Sequence, residues 1–426
     1  MKHGGRPTAR PILTSHSWLL TPCLLLALFP GLLVCSSGVV FGAPADPAAA
    51  GAYSGGGSCV VCHSDQAAYA EDVHAQKGFD CTSCHGGDAS LEDEKAMSPA
   101  KGFRGKVART KVPELCGSCH SDANFMRNYA PRMRVDQVAL YKTSVHGRKL
   151  AAGDTSVATC IDCHGVHGIR PVSDPRASTY PLRQPETCGA CHQSGERTDY
   201  EQSVHWELLS KQREMAAPAC ATCHGSHGAT PPNVASVAAV CGTCHLMPEE
   251  LFQKSPHGPA FRQMGLGGCA VCHDNHKVTR TSDAMVGDRE GAVCLACHNE
   301  GDAGLKMAAS LSAQLGSLRS ELETAAQTVH QAEIYGMEVS DARLELVNAN
   351  QALVQARVLV HGLDAKSFGE QIEGGRQVAK SAYAQGVAAI KERDVRRQGL
   401  LFSIGAILLT MAGLYFTIRI VERNGK

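Results

Sequence analysis

The pattern Cys-x-x-Cys-His occurs nine times between residues 59 and 298, and no other feature limits the fold as strongly. The cysteine pairs are Cys59/Cys62, Cys81/Cys84, Cys116/Cys119, Cys160/Cys163, Cys188/Cys191, Cys220/Cys223, Cys241/Cys244, Cys269/Cys272 and Cys294/Cys297. The histidines that follow are His63, His85, His120, His164, His192, His224, His245, His273 and His298. Each pair of thiols can form thioethers to a porphyrin edge, and the adjacent imidazole can then bind the iron from one face. The competing reading is zinc, because paired Cys-x-x-Cys knuckles are common zinc sites. Zinc does not call for histidine at the next position. Only 20 of 426 residues are histidine, so nine matches in nine motifs select nine covalently bound haem c groups.

The spacing of these motifs sets the fold class. From Cys59 to His298 there are 240 residues, about 27 per haem, too few for a large side-chain core between sites. Aromatic residues make up only 5 % of the chain. The expected architecture is mainly α with much irregular loop, its short helices packed on porphyrins, followed by long helices and a single C-terminal transmembrane helix. A formal net charge of zero gives no sign of a nucleic-acid partner.

Taken in order, residues 1–45 read as a secretory signal peptide: Lys2, Arg6 and Arg10, then the apolar run 18–34, then Ala43-Pro-Ala45. The other readings of this segment are an uncleaved anchor and a lipoprotein attached through Cys35. Cys23 and Cys35 are the two cysteines outside the nine motifs. Residues 46–58, rich in Ala and Gly, are a linker, and 59–302 form the nonahaem domain. Within it an internal repeat carries two sites per unit. A Cys-Gly-x-Cys-His site is followed by Ser144-Val-His146, Ser203-Val-His205 or Ser255-Pro-His257, and then by a site with a second histidine at His167, His227 or His276. The first unit is shorter, with Asp72-Val-His74 between its two sites.

Residues 303–397 contain no cysteine and show helical periodicity, with Leu311, Leu315, Leu318, Leu322, Ala325 and Val329 spaced four and three apart as in a coiled-coil seam. Gly336, Gly362 and Gly374-Gly375 are expected to break this region into two or three long helices. Residues 398–420 are read as the transmembrane helix, since Gln398 to Ile418 carries no charge, and 421–426 as a cytoplasmic tail. A buried core helix is the alternative. Haem attachment of this kind requires export, so the sites are expected on the periplasmic side of the cytoplasmic membrane.

For the second axial positions the repeat offers His74, His146, His167, His205, His227, His257 and His276. His167 stands too close to His164 to reach the far face of the same haem, but it can reach a neighbour. His330 and His361 match no repeat, yet they bring the number of candidate distal ligands to nine. Met126, Met133 and Met247 are the thioether alternatives. A haem with two histidines has no vacant axial position, so a fully ligated set would relay electrons and not catalyse.

The doubled motifs, with Ser-Val-His before and Cys-His-Gly-x-His after, resemble the exported multihaem cytochromes c of bacterial respiratory chains. That resemblance spans residues 59–298. It implies electron transfer between a quinol-oxidising membrane subunit, such as a b-type cytochrome, and periplasmic or outer-surface acceptors. The long helices before a membrane span are similar, more loosely, to octahaem hydroxylamine oxidoreductase relatives. Those have eight sites, and no catalytic pocket is recognisable here. No motif carries lysine in place of histidine, as the active haem of ammonia-forming nitrite reductases does. Tetrahaem quinol dehydrogenases usually bear their span at the N-terminus. The competing function is an oxidoreductase acting on a small nitrogen or sulfur compound at an open-coordination haem. A structural or filament-forming cytochrome is a third. The C-terminal helices also offer a surface for a second copy of the chain.

Overall fold

A computed structural model describes residues 57–425, apart from Pro232 and the side chain of Ala67. The signal segment and most of the linker, with Cys23 and Cys35, lie outside the described residues. Among the described residues there is no strand, and helices alternate with irregular loops as expected.

Most attachment motifs lie in a helical turn, for example Cys81–His85, Cys160–His164 and Cys220–His224. One turn places residues three apart on a common face, which brings the two thiols of a motif to the same side. Caps start these turns. Asp80 accepts a hydrogen bond from the Ser83 amide at 3.0 Å, and the Thr159 amide donates to Asp162 at 2.6 Å. Gly165 and Gly225 follow their motif histidines with φ of 81° and 77°, a left-handed turn that redirects the chain toward His167 and His227. Asp274 makes the same turn after His273, at φ 67°.

Three motifs are built differently. The helix Gln184–Gly189 and the 3₁₀ turns Val237–Thr243 and Val293–Ala296 stop short of Cys191, Cys244 and Cys297. The second cysteine of each motif therefore stands just past its helical segment.

The repeated serine of the tripeptides is also a cap. Ser144 and Ser203 precede the helices Val145–Ala151 and Val204–Ser210, and accept from Gly147 and Trp206 amides at 3.0 and 3.1 Å. Ser255 accepts from the His257 amide at 3.2 Å. All three serines are buried, so each histidine that follows projects from a fixed helix start.

Three long helices follow: Ala303–Ile334, Ser340–Leu359 and Ala365–Asn424. The seam residues Leu311, Leu315, Leu318, Ala325 and Val329 are buried, and Leu322 packs against them. Their main core adds Leu353, Ala356, Phe368 and Ile372 from the other two helices. Gly336, with φ 74°, ends the first helix, and Gly362 lies in the short turn between the second and third. Gly374-Gly375 does not break anything. A Cβ on Gly375 would stand 2.9 Å from Ala352 Cβ and 3.0 Å from Leu318 Cδ2, so glycine here lets three helices meet closely within an unbroken rod. The third helix also passes through residue 397 without interruption. Its most apolar stretch has a mean hydropathy of 2.0 and is nowhere buried, unlike a core helix, and it is long enough to cross a membrane.

Candidate haem sites

The haem region and the helices are joined at several points. Asp302 caps the first long helix, accepting from the Leu305 amide at 2.7 Å, and its other oxygen lies 3.2 Å from His298 Nδ1. Asp283 accepts from Arg357 at 2.7 and 3.0 Å and from Arg319 at 3.4 Å. Arg357 lowers the Asp283 carboxyl pKa by hydrogen bonding, against burial, so this ion pair ties the haem region to two helices. Val286 packs on the main helical core.

With the nine motifs numbered in chain order, eight motif histidines each face one other histidine. The ring centres lie 6.0 Å apart for His120 and His74, 6.1 Å for His85 and His167, and 6.1 Å for His192 and His146. They lie 6.1 Å apart for His164 and His227, 6.4 Å for His245 and His205, and 5.8 Å for His224 and His276. The last two pairs, His298 with His257 and His273 with His361, are both at 6.0 Å. Two imidazoles on opposite sides of one metal need about 2 Å per metal–nitrogen bond and about 1 Å from nitrogen to ring centre, roughly 6 Å in all. The chain's own residues therefore fit haem iron held between two histidines. They do not fit zinc: among the described residues no three His, Cys, Asp or Glu side chains converge on a metal position.

The pairing follows a register. For the second, fourth and sixth sites the facing histidine comes just after the motif two sites further on, as with His85 and His167. For the third, fifth, seventh and ninth it comes from the tripeptide between the two preceding sites, as with His120 and His74. The eighth site has no tenth site beyond it, and His361, at the turn before the third long helix, stands in that place. His361 Nδ1 lies 2.9 Å from the Val358 carbonyl, which fixes the ring.

His330 is not brought to any motif histidine among the described residues. The first long helix turns it away from the buried seam; its side chain is 71 % exposed, and its Nδ1 lies 3.8 Å from Glu333. Seven repeat histidines and His361 therefore stand opposite eight motif histidines, and among the described residues His330 stands opposite none.

In sequence all the attachment cysteines are equivalent; in the structure they are not. Cys62, Cys191, Cys244 and Cys297 are exposed, whereas every other motif cysteine is half-buried. All four are second cysteines of odd-numbered sites. For Cys191, Cys244 and Cys297 the physical reason is the early end of the helical segment, which carries the second thiol out of the packed turn. The first cysteine still fixes the histidine: the His192, His245 and His298 amides donate to the Cys188, Cys241 and Cys294 carbonyls at 3.0, 2.9 and 3.0 Å. His192 and His245 share the exposure of their cysteines. The first, fifth, seventh and ninth sites are thus open toward solvent at the second thiol, and the even-numbered sites are more enclosed.

Neighbouring sites influence one another in chain order. Within a pair of sites the first cysteines act on one another electrostatically: Cys160 beside Cys116, Cys188 beside Cys220, Cys241 beside Cys269 and Cys59 beside Cys81 each push the neighbouring thiol up. Between pairs, Cys84 interacts with Cys119, Cys163 with Cys188, Cys223 with Cys241 and Cys272 with Cys294. Burial holds His120, His164 and His273 below the ordinary histidine pKa, and the facing histidine adds to this in each case. Neutral imidazole is the metal-binding form. A cleft of about 750 Å³ opens beside His227 between Arg134, Leu140 and Pro231, with Asp136 Oδ1 and Gln137 Oε1 buried at its edge and unpaired.

Two contributors were not legible as site residues. Asp72 is fully buried and accepts from the His74 amide and Nδ1, both at 2.9 Å, and from the Gly168 and Ile169 amides at 2.8 and 2.7 Å. Burial is the largest influence on its carboxyl and pushes the pKa up; the bonds from His74, Ile169 and Gly168 outweigh it, and the pKa is lowered. The signal was its place in the repeat, where the other tripeptides have serine. Gly304 lies against the motif histidine of the ninth site: a Cβ there would stand 2.2 Å from His298 Cε1.

Two family models match parts of the chain. Residues 73–193 match cytochrome c3, and residues 257–303 match the doubled CXXCH motif; together they cover less than half of the chain. No curated protein and no solved structure matches. The matched segments are those of a multihaem c-type cytochrome with covalently bound haem c, a domain that implies electron transfer.

Proposed function

We propose that the chain is an exported nonahaem cytochrome c, anchored by its C-terminal helix, that carries electrons between a quinol-oxidising membrane partner and periplasmic or outer-surface acceptors. The observation that carries this reading is the register: eight histidine pairs at metal-spanning distance, strung in chain order, with the cysteines of neighbouring sites near enough to act on one another electrostatically. Each attached haem supplies a one-electron centre. The residues supply the rest. The cysteines hold position, the serine caps and Asp72 aim the imidazoles, and burial keeps the enclosed imidazoles neutral.

Anchoring rests on the apolar run from Gln398 to Ile418, flanked by Arg396 and Arg397 on one side and Arg419 on the other. Attachment chemistry takes place after export, which puts residues 59–397 in the periplasm and 421–426 in the cytoplasm. One span without its own redox centre needs a separate quinol-oxidising subunit, for which a b-type cytochrome is suited.

Three measurements test the reading. The mass of the denatured mature protein should exceed the polypeptide by nine haems. Removal of residues 398–426 should release the holoprotein from membranes. Purification from native membranes should bring down a redox-active membrane subunit; purification as a lone cytochrome would count against the proposed partner.

A further inference from the structure

Among the described residues, the register that pairs eight sites has no donor for the first. An odd-numbered site takes its second histidine from the tripeptide between the two sites before it. For Cys59, Cys62 and His63 that tripeptide would have to precede Cys59, and residues 46–58 contain no histidine. His3 and His16 stand within the segment read as a signal peptide. At the other end the same shortage is met by His361 from the helical region. Among the described residues no ring lies against His63, and every other motif histidine has its pair. His63 and Cys62 are both exposed. Cys59 acts on Cys81 of the second site, so the first site stands at the end of the series opposite in chain order to the long helices.

We propose that His63 is the sole protein ligand at the first attachment site, and that this site binds a small exogenous π-acceptor such as carbon monoxide or nitric oxide in the reduced state. The inference rests on the haem reading above. Iron with two histidines has no vacant axial position, so the eight paired sites exclude such ligands and the first site does not. Because it terminates the series, the site that accepts an outside molecule is also one where electrons can leave.

The test uses the reduced holoprotein and carbon monoxide. The expected result is one carbon monoxide bound per nine haems, with a high-spin ferric fraction of one ninth before reduction. The double variant C59A/C62A should lose one haem by mass and all carbon monoxide binding. If that variant does not accumulate, H63A serves instead: changing the ligand opposite the carbon monoxide should shift its C–O stretching frequency. A wild-type protein that binds no carbon monoxide overturns the proposal, as does binding unchanged in both variants. A wild-type mass showing eight haems overturns it together with the nine-haem count, whereas nine haems without carbon monoxide binding overturns it alone. If H330A gains a carbon monoxide site that the wild type lacks, His330 of a second copy occupies the position, and the proposal fails.

Discussion

Replacing Asp72 with asparagine tests whether one buried carboxylate serves two sites at once. Its two oxygens accept four hydrogen bonds, two from His74 and two from the Gly168 and Ile169 amides, and it is fully shielded from water. Asparagine keeps the shape but turns one oxygen into an NH₂ group, which must then face a pair of N–H donors. Hydrogen bonds to a charged group contribute about 1.5–3 kcal/mol each, so losing one pair should cost roughly 3–6 kcal/mol before relaxation. The same change acts on the iron. A carboxylate accepting from Nδ1 makes an axial histidine more basic and favours the oxidised metal. If about 1.4 kcal/mol of that preference is lost, the potential rises by about 60 mV for a one-electron couple. Spectropotentiometry, with the sites resolved by paramagnetic NMR, should show an upward shift at the third site, where His74 faces His120. A smaller effect is expected at the second, where His167 faces His85. Unchanged potentials at both, with unchanged thermal stability, would refute the reasoning.

Other outcomes follow from the same geometry. His167→Ala should open the second site, at Cys81 and Cys84, and leave the fourth, in whose segment it stands, with both ligands; carbon monoxide binding with haem-specific NMR distinguishes them. Gly304→Ala drives a methyl group into the His298 ring and should alter the ninth site's spectrum while costing about 1–3 kcal/mol, read by the unfolding midpoint. Asp283→Asn should loosen the haem region from the helices, at a cost of about 1.5–3 kcal/mol. Because the folded pKa of Asp283 is lowered, its stabilisation is present above the ordinary carboxylate value and fades as pH falls through the folded value. Melting curves across that acid range should therefore be flatter for the variant than for the wild type.

The long helices were legible because their seam repeats with the helical period, and Leu311, Leu315 and Leu318 are buried where that period puts them. Gly374-Gly375 misled because a glycine pair reads locally as a break. The close approach of Leu318 and Ala352 that makes glycine useful there is a tertiary fact. In the haem region the repeat marked which histidines matter but not which iron each faces. His74 and His120 are 46 positions apart, and no periodicity connects them. Nor does the shared motif tell an enclosed thiol such as Cys163 from an exposed one such as Cys191, because that depends on where the local helix stops. His361 belongs to no repeat, yet it stands opposite His273 where the next unit would have placed its histidine. His330 looked equivalent by count, yet the helical phase that buries Val329 carries the next residue outward.

The third long helix has a consequence for how the proposed membrane donor would have to be built. From Ala365 to Arg397 it runs 33 residues before the uncharged run begins, about 50 Å at the usual rise. If the helix stands upright in a bilayer, as the proposed anchoring has it, this mast lifts His361 and the facing His273 far above the lipid headgroups. Under the proposed anchoring, a quinol-oxidising partner confined to the hydrocarbon layer would lie well below this histidine pair. The partner proposed above would then need a redox group on an extramembrane domain of comparable reach, and shortening the mast by whole turns should change the coupling between the two without touching any ligand.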